Sequence, residues 1–457
     1  MFTPPRFVVV DDNAKHAHAI AACIQELGSA CATVIYSLEK DVPVAAFLGA
    51  RVVFMDLQLM DRAHGDFKRH YAEIQRILSQ VINPVGGPYM LVLWTEVPER
   101  ADELRGYLEE HLYAKSPHTR PLSLLALSKN DYIDSSTESA TNSAELGNRI
   151  RIDMAEATAV AALLQWESDV LHATNGVLQT VISAASTASG GPVEVSAVLK
   201  RIAIDAVGES QALADPESAV HIAMLPLLHD QIQDTASRAG SVDVWNNAYE
   251  GAPEPLPKLS REKAAKLNSH LHLQLATNGD VTPTSWGALS SLEPDFSWAD
   301  FGFDGAKQFV EKVVQKQVQT QWLDNVVDME IDDSNTRRVR VGQVRIGAAC
   351  DFAQKAHGPI PFVLAAFIPV RKDHAAKKPV LADRSTAWMS PLMDIGEWGR
   401  GHLFVDPRFS RTRGHQQAQQ FTPVARIREQ LLIELISTVS HHGARPGITQ
   451  FEGEDSP

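Results

Sequence analysis

Five short apolar runs, separated by segments with helical spacing, constrain this chain more than any other feature of its first 130 residues. "RFVVV" (6–10), "ACATVIY" (30–36), "RVVFMD" (51–56), "YMLVLWT" (89–95) and "LSLLALSK" (122–129) each read as a strand buried on both faces. Between them, 14–27 is a helix with Asn13 as its cap and Ile20, Ile24 and Leu27 on one side. Residues 41–49 read as a short helix with Pro43 in its first turn, and 97–112 as a longer one. Phe67, His70, Ile74, Ile77, Leu78 and Val81 recur at helical spacing. Strands that alternate with helices pair in parallel, because each return passes through a crossover, and the helices cover both faces of the sheet.

The polar residues fall at the strand ends where such sheets carry their chemistry. Asp11 and Asp12 follow the first strand, Asp56 the third, Thr95 ends the fourth, and Lys129 follows the fifth. Three carboxylates converging at one edge repel each other unless a hard cation sits among them. Mg²⁺ suits that role, since it takes a few carboxylates and keeps waters and phosphate oxygens in its shell. A carboxylate beside it can attack a phosphoryl donor and form an acyl phosphate. The Lys129 ammonium and the Thr95 hydroxyl can then pair with phosphoryl oxygens. Any one of these aspartates alone reads as a cap or a solvated loop residue. The five together read as a phosphorylation site.

"VVVDDN" and "VVFMDLQLM" resemble the acidic pair and the phosphoacceptor strand of the response-regulator receiver domain. The resemblance covers residues 1–135 and implies a flavodoxin-like fold, a five-stranded parallel sheet in the order 2-1-3-4-5. It implies Asp56 as phosphoacceptor, with Asp11, Asp12 and Asp56 holding Mg²⁺. It further implies Thr95 as the switch hydroxyl, Lys129 as the phosphate-sensing cation, and a sensor histidine kinase as phosphodonor. The chain departs from the family in three places. The third helix and "AKSPHTRP" (114–121) are extended, Ala126 stands where an aromatic residue is usual, and Asn130 replaces the proline that follows the lysine.

Composition bounds the rest. The 457 residues carry a formal net charge of −14, which argues against broad attraction to nucleic acid or an anionic membrane. The cysteines Cys23, Cys31 and Cys350 fit no disulfide framework or paired metal motif. With no apolar run of ~18 residues and no signal-peptide pattern, the expected location is the cytoplasm.

Residues 136–330 are expected to be a helical middle region with linkers, and 331–457 an α+β module for output or partner binding. "NDYIDSSTESATNSAEL" (130–146) has linker composition, which leaves the fifth receiver helix hard to place. From Arg149 a stripe of Ile150, Met154, Ala157, Ala161, Leu164 and Leu171 reads as core or as a homodimer seam. Further helices are expected at 193–206, 216–236 and 260–276, with connectors at 185–192 and 250–258. His221 with His229, and His270 with His272, lack the acids and cysteines that metal binding needs nearby.

In the last part, 337–356, 361–370 and 401–406 read as strands of a barrel-like sheet. Arg337, Arg338, Arg340 and Arg345 fall largely on one solvated face or bind phosphate or an acidic partner. Residues 422–443 read as one helix capped by Thr422 with Pro423 in its first position. Cys350 is a candidate nucleophile if His357, His402, His441 or His442 serves as its base, although an inert cysteine is the commoner outcome. The expected function is a signalling protein phosphorylated on Asp56 whose output binds or sequesters a protein partner. Receivers joined to unfamiliar modules also occur as phosphoryl sinks in bacterial defence signalling. A receiver-gated enzyme and a DNA-binding regulator, the latter through Arg337–Arg345 and Arg408–Arg413, are the alternatives.

Overall fold

The computed structural model describes residues 5–60, 67–84, 86–134, 143–185, 192–238, 242–277, 279–293, 295–318, 339–353, 358–370, 381 and 386–443. The chain divides into two compact units, Met1–Ala184 with Pro226–Leu256, and Ala185–Leu225 with Pro257–Pro457.

In the first unit β1 (Phe7–Asp11), β2 (Cys31–Ile35), β3 (Val52–Met55), β4 (Met90–Thr95) and β5 (Ser123–Ser128) pair in parallel in the order β2-β1-β3-β4-β5. This is the order that the resemblance implies. Its covering helices are α1 (Ala14–Glu26), α2 (Phe67–Val81), α3 (Ala101–Leu108) and α4 (Ser143–Glu156). Alternation along each strand sorts the side chains into two layers. Val8, Val10, Val53, Met55, Leu91 and Leu93 pack with Ile74, Ile77 and Leu78 of α2 and Leu104 and Leu108 of α3. Phe7, Val9, Val52, Phe54, Met90, Val92 and Trp94 pack on the other side with Ile20 and Ile24 of α1 and Leu146 and Ile150 of α4.

Two local readings change. The segment expected as a helix at 41–49 is a single 3-10 turn, Val44–Phe47, which buries only Phe47. The covering helix that follows β5 is α4, whose first residues were read as linker. A further helix, α5 (Thr158–Ala185), follows after a break at Ala157, so the stripe from Arg149 belongs to two helices. Ile150 is buried against the sheet, while Leu171 is 54% exposed. Glu167 of α5 accepts hydrogen bonds from Arg6 Nη1 at 2.7 Å and Arg51 Nε at 2.8 Å, residues that immediately precede β1 and β3. The amino ends of the two central strands are thereby tied to one carboxylate.

The middle of the chain is helical: α6 (Pro192–Val207), α7 (Glu209–Ala214), α8 (Pro216–Arg238), α9 (Val242–Glu250) and α10 (Arg261–His272). The pattern expected as helix to residue 276 ends at His272, and the next residues form a strand. The second unit holds an antiparallel sheet built from β6 (Leu273–Leu275), β7 (Ala288–Ser291), β8 (Arg340–Arg345), β9 (Ile360–Pro369), β10 (Trp388–Met389), β11 (Met393–Asp394), β12 (Arg400–Arg413) and β13 (Pro423–Ile427). Its order is β10-β12-β9-β8-β7-β13-β6, with β11 also on β12. Among the described residues this path does not close, so the sheet is open rather than a barrel.

Pro423 begins a strand, not a helix. Ala425 and Ile427 alternate into the core, β13 pairs with β7 and β6 on its two sides, and a first-position proline gives up no interior ladder bond. The helix starts later, at Glu429–Gly443, and buries Leu431, Leu432 and Leu435. The arginines of β8 do not share a face either. Arg340 and Arg345 are an odd number of residues apart and project to opposite sides, while Arg337 and Arg338 lie outside the described residues.

Ile150→Ala tests the assignment of α4 to the sheet. Emptying this buried site is expected to cost ~2–5 kcal/mol. Hydrogen exchange at the amides of β1 and β3 should accelerate accordingly, whereas a helix detached from the sheet would leave it unchanged.

Candidate functional site

The site lies at the carboxyl ends of the first unit's strands. Asp11 closes β1 and is fully buried, because that strand is central and carries helices on both sides. Asp56 follows β3, its N–H continuing the ladder to the Val10 carbonyl at 2.9 Å, and is 4% exposed. Asp12 is half-buried beside them. Carboxylate oxygens of Asp11, Asp12 and Asp56 all lie within 4.8 Å of one another. Lys129, just past β5, is 4% exposed. Its Nζ lies 2.7 Å from Asp56 Oδ2 and 2.9 Å from Asp11 Oδ2. Thr95 ends β4, fully buried, opposite Ser128 in the register, and its Oγ1 accepts the Val97 N–H at 3.2 Å.

Backbone donors fix the acids. The Asn13 N–H donates to Asp11 Oδ1 at 2.8 Å, and the Gln58 N–H to Asp56 Oδ1 at 3.1 Å. Both are turn bonds in which an aspartate accepts from the residue two positions on. The same loop starts α1, since Asn13 Oδ1 accepts the Lys15 N–H at 2.9 Å.

Electrostatics follow from this crowding. Burial, then the nearby Asp56 carboxylate, push the Asp11 carboxyl from an ordinary 3.8 up to about 7, against the pull of Lys129. Burial works against the Lys129 ammonium, but Asp56 and Asp11 outweigh it and hold its pKa above that of an ordinary lysine. Two buried carboxylates therefore share a single ammonium. A donor set of three oxygens fits a hard divalent cation, so the three acids could hold one.

Some neighbours were not legible as site residues. Asn130, in the place of the usual proline, donates from Nδ2 to the Glu96 carbonyl at 3.2 Å and ties the loop after β5 to the loop after β4. Trp94 and Tyr132 stack at 6.3 Å, one ring immediately before Thr95 and the other just beyond the 3-10 turn that Lys129 opens. The helix that follows β4 continues in a π-helical turn, Glu109–Tyr113, with His111 stacked on Tyr107 at 4.2 Å.

Elsewhere, the exposed Cys350 lies with its Sγ 3.7 Å from Asp351 Oδ1. Of its candidate bases, His402 is buried with Nδ1 2.9 Å from the Ser390 carbonyl, and His441 Nδ1 lies 3.4 Å from Ser437 Oγ. His357 is outside the described residues. Among the described residues, neither pair formed by His221 and His229 or by His270 and His272 belongs to a three-ligand cluster.

The N-terminal sheet and its acidic pocket are consistent with a receiver fold. Comparison of the chain with protein-family models, with curated proteins and with solved structures finds no match in any of the three.

Replacing Lys129 by Met strands two buried carboxylates and is expected to cost ~3–5 kcal/mol near neutral pH in the absence of divalent ions. A carboxyl whose folded pKa exceeds its unfolded one favours the folded chain when protonated. That contribution is full below about 3.8 and is lost as pH rises through about 7. Urea unfolding of Lys129→Met against wild type should therefore show a smaller deficit at about pH 5 than at about pH 8.

Proposed function

We propose that the chain is a phosphoacceptor signalling protein, phosphorylated on Asp56 by a partner histidine kinase in the presence of Mg²⁺. One observation carries the reading: Asp56, with Asp11 and Asp12 within 4.8 Å, also has a buried lysine ammonium 2.7 Å from its carboxylate. A structural ion pair needs one acid for one base, whereas here two buried acids share one lysine. A phosphoacceptor site makes use of that second acid.

The residues divide the work as follows. An Asp56 carboxylate oxygen attacks the phosphorus of a phosphohistidine. The O–P bond forms as the P–N bond breaks, and the imidazole leaves with the electron pair. Asp11, Asp12 and Asp56 would hold Mg²⁺, which when bound neutralises charge on the transferred phosphoryl oxygens. Lys129, already within hydrogen-bond reach of Asp56, pairs with one phosphoryl oxygen. Thr95 Oγ1 accepts from the Val97 N–H and keeps its own O–H to donate to another. Redirecting Lys129 and Thr95 shifts the loops after β5 and β4, which the Asn130 side chain joins.

The remainder of the chain then alters its binding to a protein partner. The net charge of −14 favours that output over DNA binding. Leu171, Leu178 and Ile182, 46–54% exposed on α5, offer apolar surface for such a partner or for a second copy.

Incubation with Mg²⁺ and a small phosphodonor should add one phosphoryl mass to the wild-type chain and none to Asp56→Ala. The adduct should be lost in mild base, as an acyl phosphate is. An adduct that persists in the Asp56→Ala variant would overturn the assignment. Because Asp11 holds a proton up to about pH 7, a divalent ion must displace it. Titration calorimetry should show Mg²⁺ affinity climbing by up to about tenfold per pH unit below that point and levelling above it.

A further inference from the structure

The second unit buries a strip of polar groups that the phosphoacceptor reading leaves unused. Gln343 and Arg345 of β8 are two residues apart and share one face of the antiparallel sheet. Directly paired residues share that face too, so Ser290 stands beside Gln343, and Phe362 stands between Arg345 and Arg411. Two separate apolar groups cover the face. One contains Phe296, Phe303 and Phe309 with Leu364 and Phe404, and the other Phe421 and Ala418 with Ile360 and Phe362. Arg411 lies at the seam, its guanidinium carbon 4.2 Å from the Phe296 ring and 5.9 Å from that of Phe421.

Four buried atoms on this strip have no hydrogen-bond partner: Ser290 Oγ, Gln343 Nε2, Arg345 Nε and Arg411 Nη1. Ser290 and Gln343 are fully buried, Arg345 is 7% exposed, and the Arg411 side chain is 7% exposed. Buried polar groups are nearly always satisfied, so four orphans on one strip need a cause. Three of the four are obligate donors, and the hydroxyl can act as a fourth. The missing partner is therefore an acceptor.

The charges agree. Glu293 accepts from Arg411 Nη2 at 2.8 Å and also lies 3.6 Å from Arg413, one carboxylate for two guanidinium groups. Arg411 also donates from Nη2 to Gln343 Oε1 at 2.7 Å, which turns the amide nitrogen of Gln343 toward other partners. Among the described residues Arg345 has no carboxylate at ion-pair distance. It donates to the Thr284 carbonyl and sits 4.9 Å from the Phe352 ring, with Asp351 near enough to be felt but not to pair. Burial pushes the pKa of Arg345 below the ordinary arginine value, and at Arg411 it outweighs the opposing pull of Glu293.

We propose that Arg345, Arg411, Gln343 and Ser290 form a binding site for a small oxyanion, the phosphoryl or carboxylate group of a small molecule. Guanidinium forks match such groups, and the aromatic rings around them would exclude water once the ligand is seated.

The test uses the full chain in magnesium-free buffer, with inorganic phosphate, acetate or chloride at equal ionic strength. Thermal unfolding and calorimetry should show stabilisation by phosphate, acetate or both, and none by chloride. A response to phosphate alone assigns a phosphoryl ligand, and to acetate alone a carboxylate. Arg345→Met should weaken the anion response at least tenfold while leaving the anion-free chain as stable or more so, since a buried unpaired cation is gone. Gln343→Leu keeps the volume and should weaken the response severalfold, which decides the matter if the arginine variant does not fold. No oxyanion-specific response, or an equal one in both variants, would overturn the site and point to buried water as the missing partner.

Discussion

One ammonium group between two buried carboxylates sets the terms for the first unit. Lys129 reaches Asp11 and Asp56 from the far side of the acid pocket, and each of the three would be costly to bury alone. Their mutual attraction recovers part of that cost, but one positive charge cannot neutralise both buried acids. Asp11 is left close to neutral pH in its titration, a poor outcome for a group whose only task is structure.

The sheet holds this pocket from both ends. Carboxyl-end loops supply the acids and orient them with backbone N–H donors from Asn13 and Gln58. At the opposite end Glu167 gathers Arg6 and Arg51, so the two strands that deliver Asp11 and Asp56 are joined where they begin. Partly exposed ion pairs of this kind contribute little energy singly. Their value here is positional, since they fix the relative register of β1 and β3 to the long helix α5.

How much of this was legible in the residues depends on periodicity. The five strands could be read because unbroken aliphatic runs have few alternatives, their order came only from the resemblance, and the candidate site residues followed from where those runs stop. The covering helix after β5 was hidden because its first turn, "SAEL", continues a polar stretch, and only Leu146 and Ile150 show its inward side. Pro423 misled for a local reason. It suits the first turn of a helix and the first residue of a strand equally, and sheet partners distant in sequence decided between them. Arg345 read as solvated because charged residues usually are. Only the register, which sets it beside Phe362, reveals its burial.

Ala126 leaves β5 without the ring that receivers commonly place there, yet the aromatic bulk has not vanished. It stands in the turn behind the lysine, as Tyr132 stacked on Trp94. Both rings belong to the layer that contains Leu146 and Ile150, not to the layer under α2 and α3. If the pocket takes up a phosphoryl group as proposed, any displacement of Tyr132 would bear on the α1–α4 layer of the sheet rather than on the α2–α3 layer.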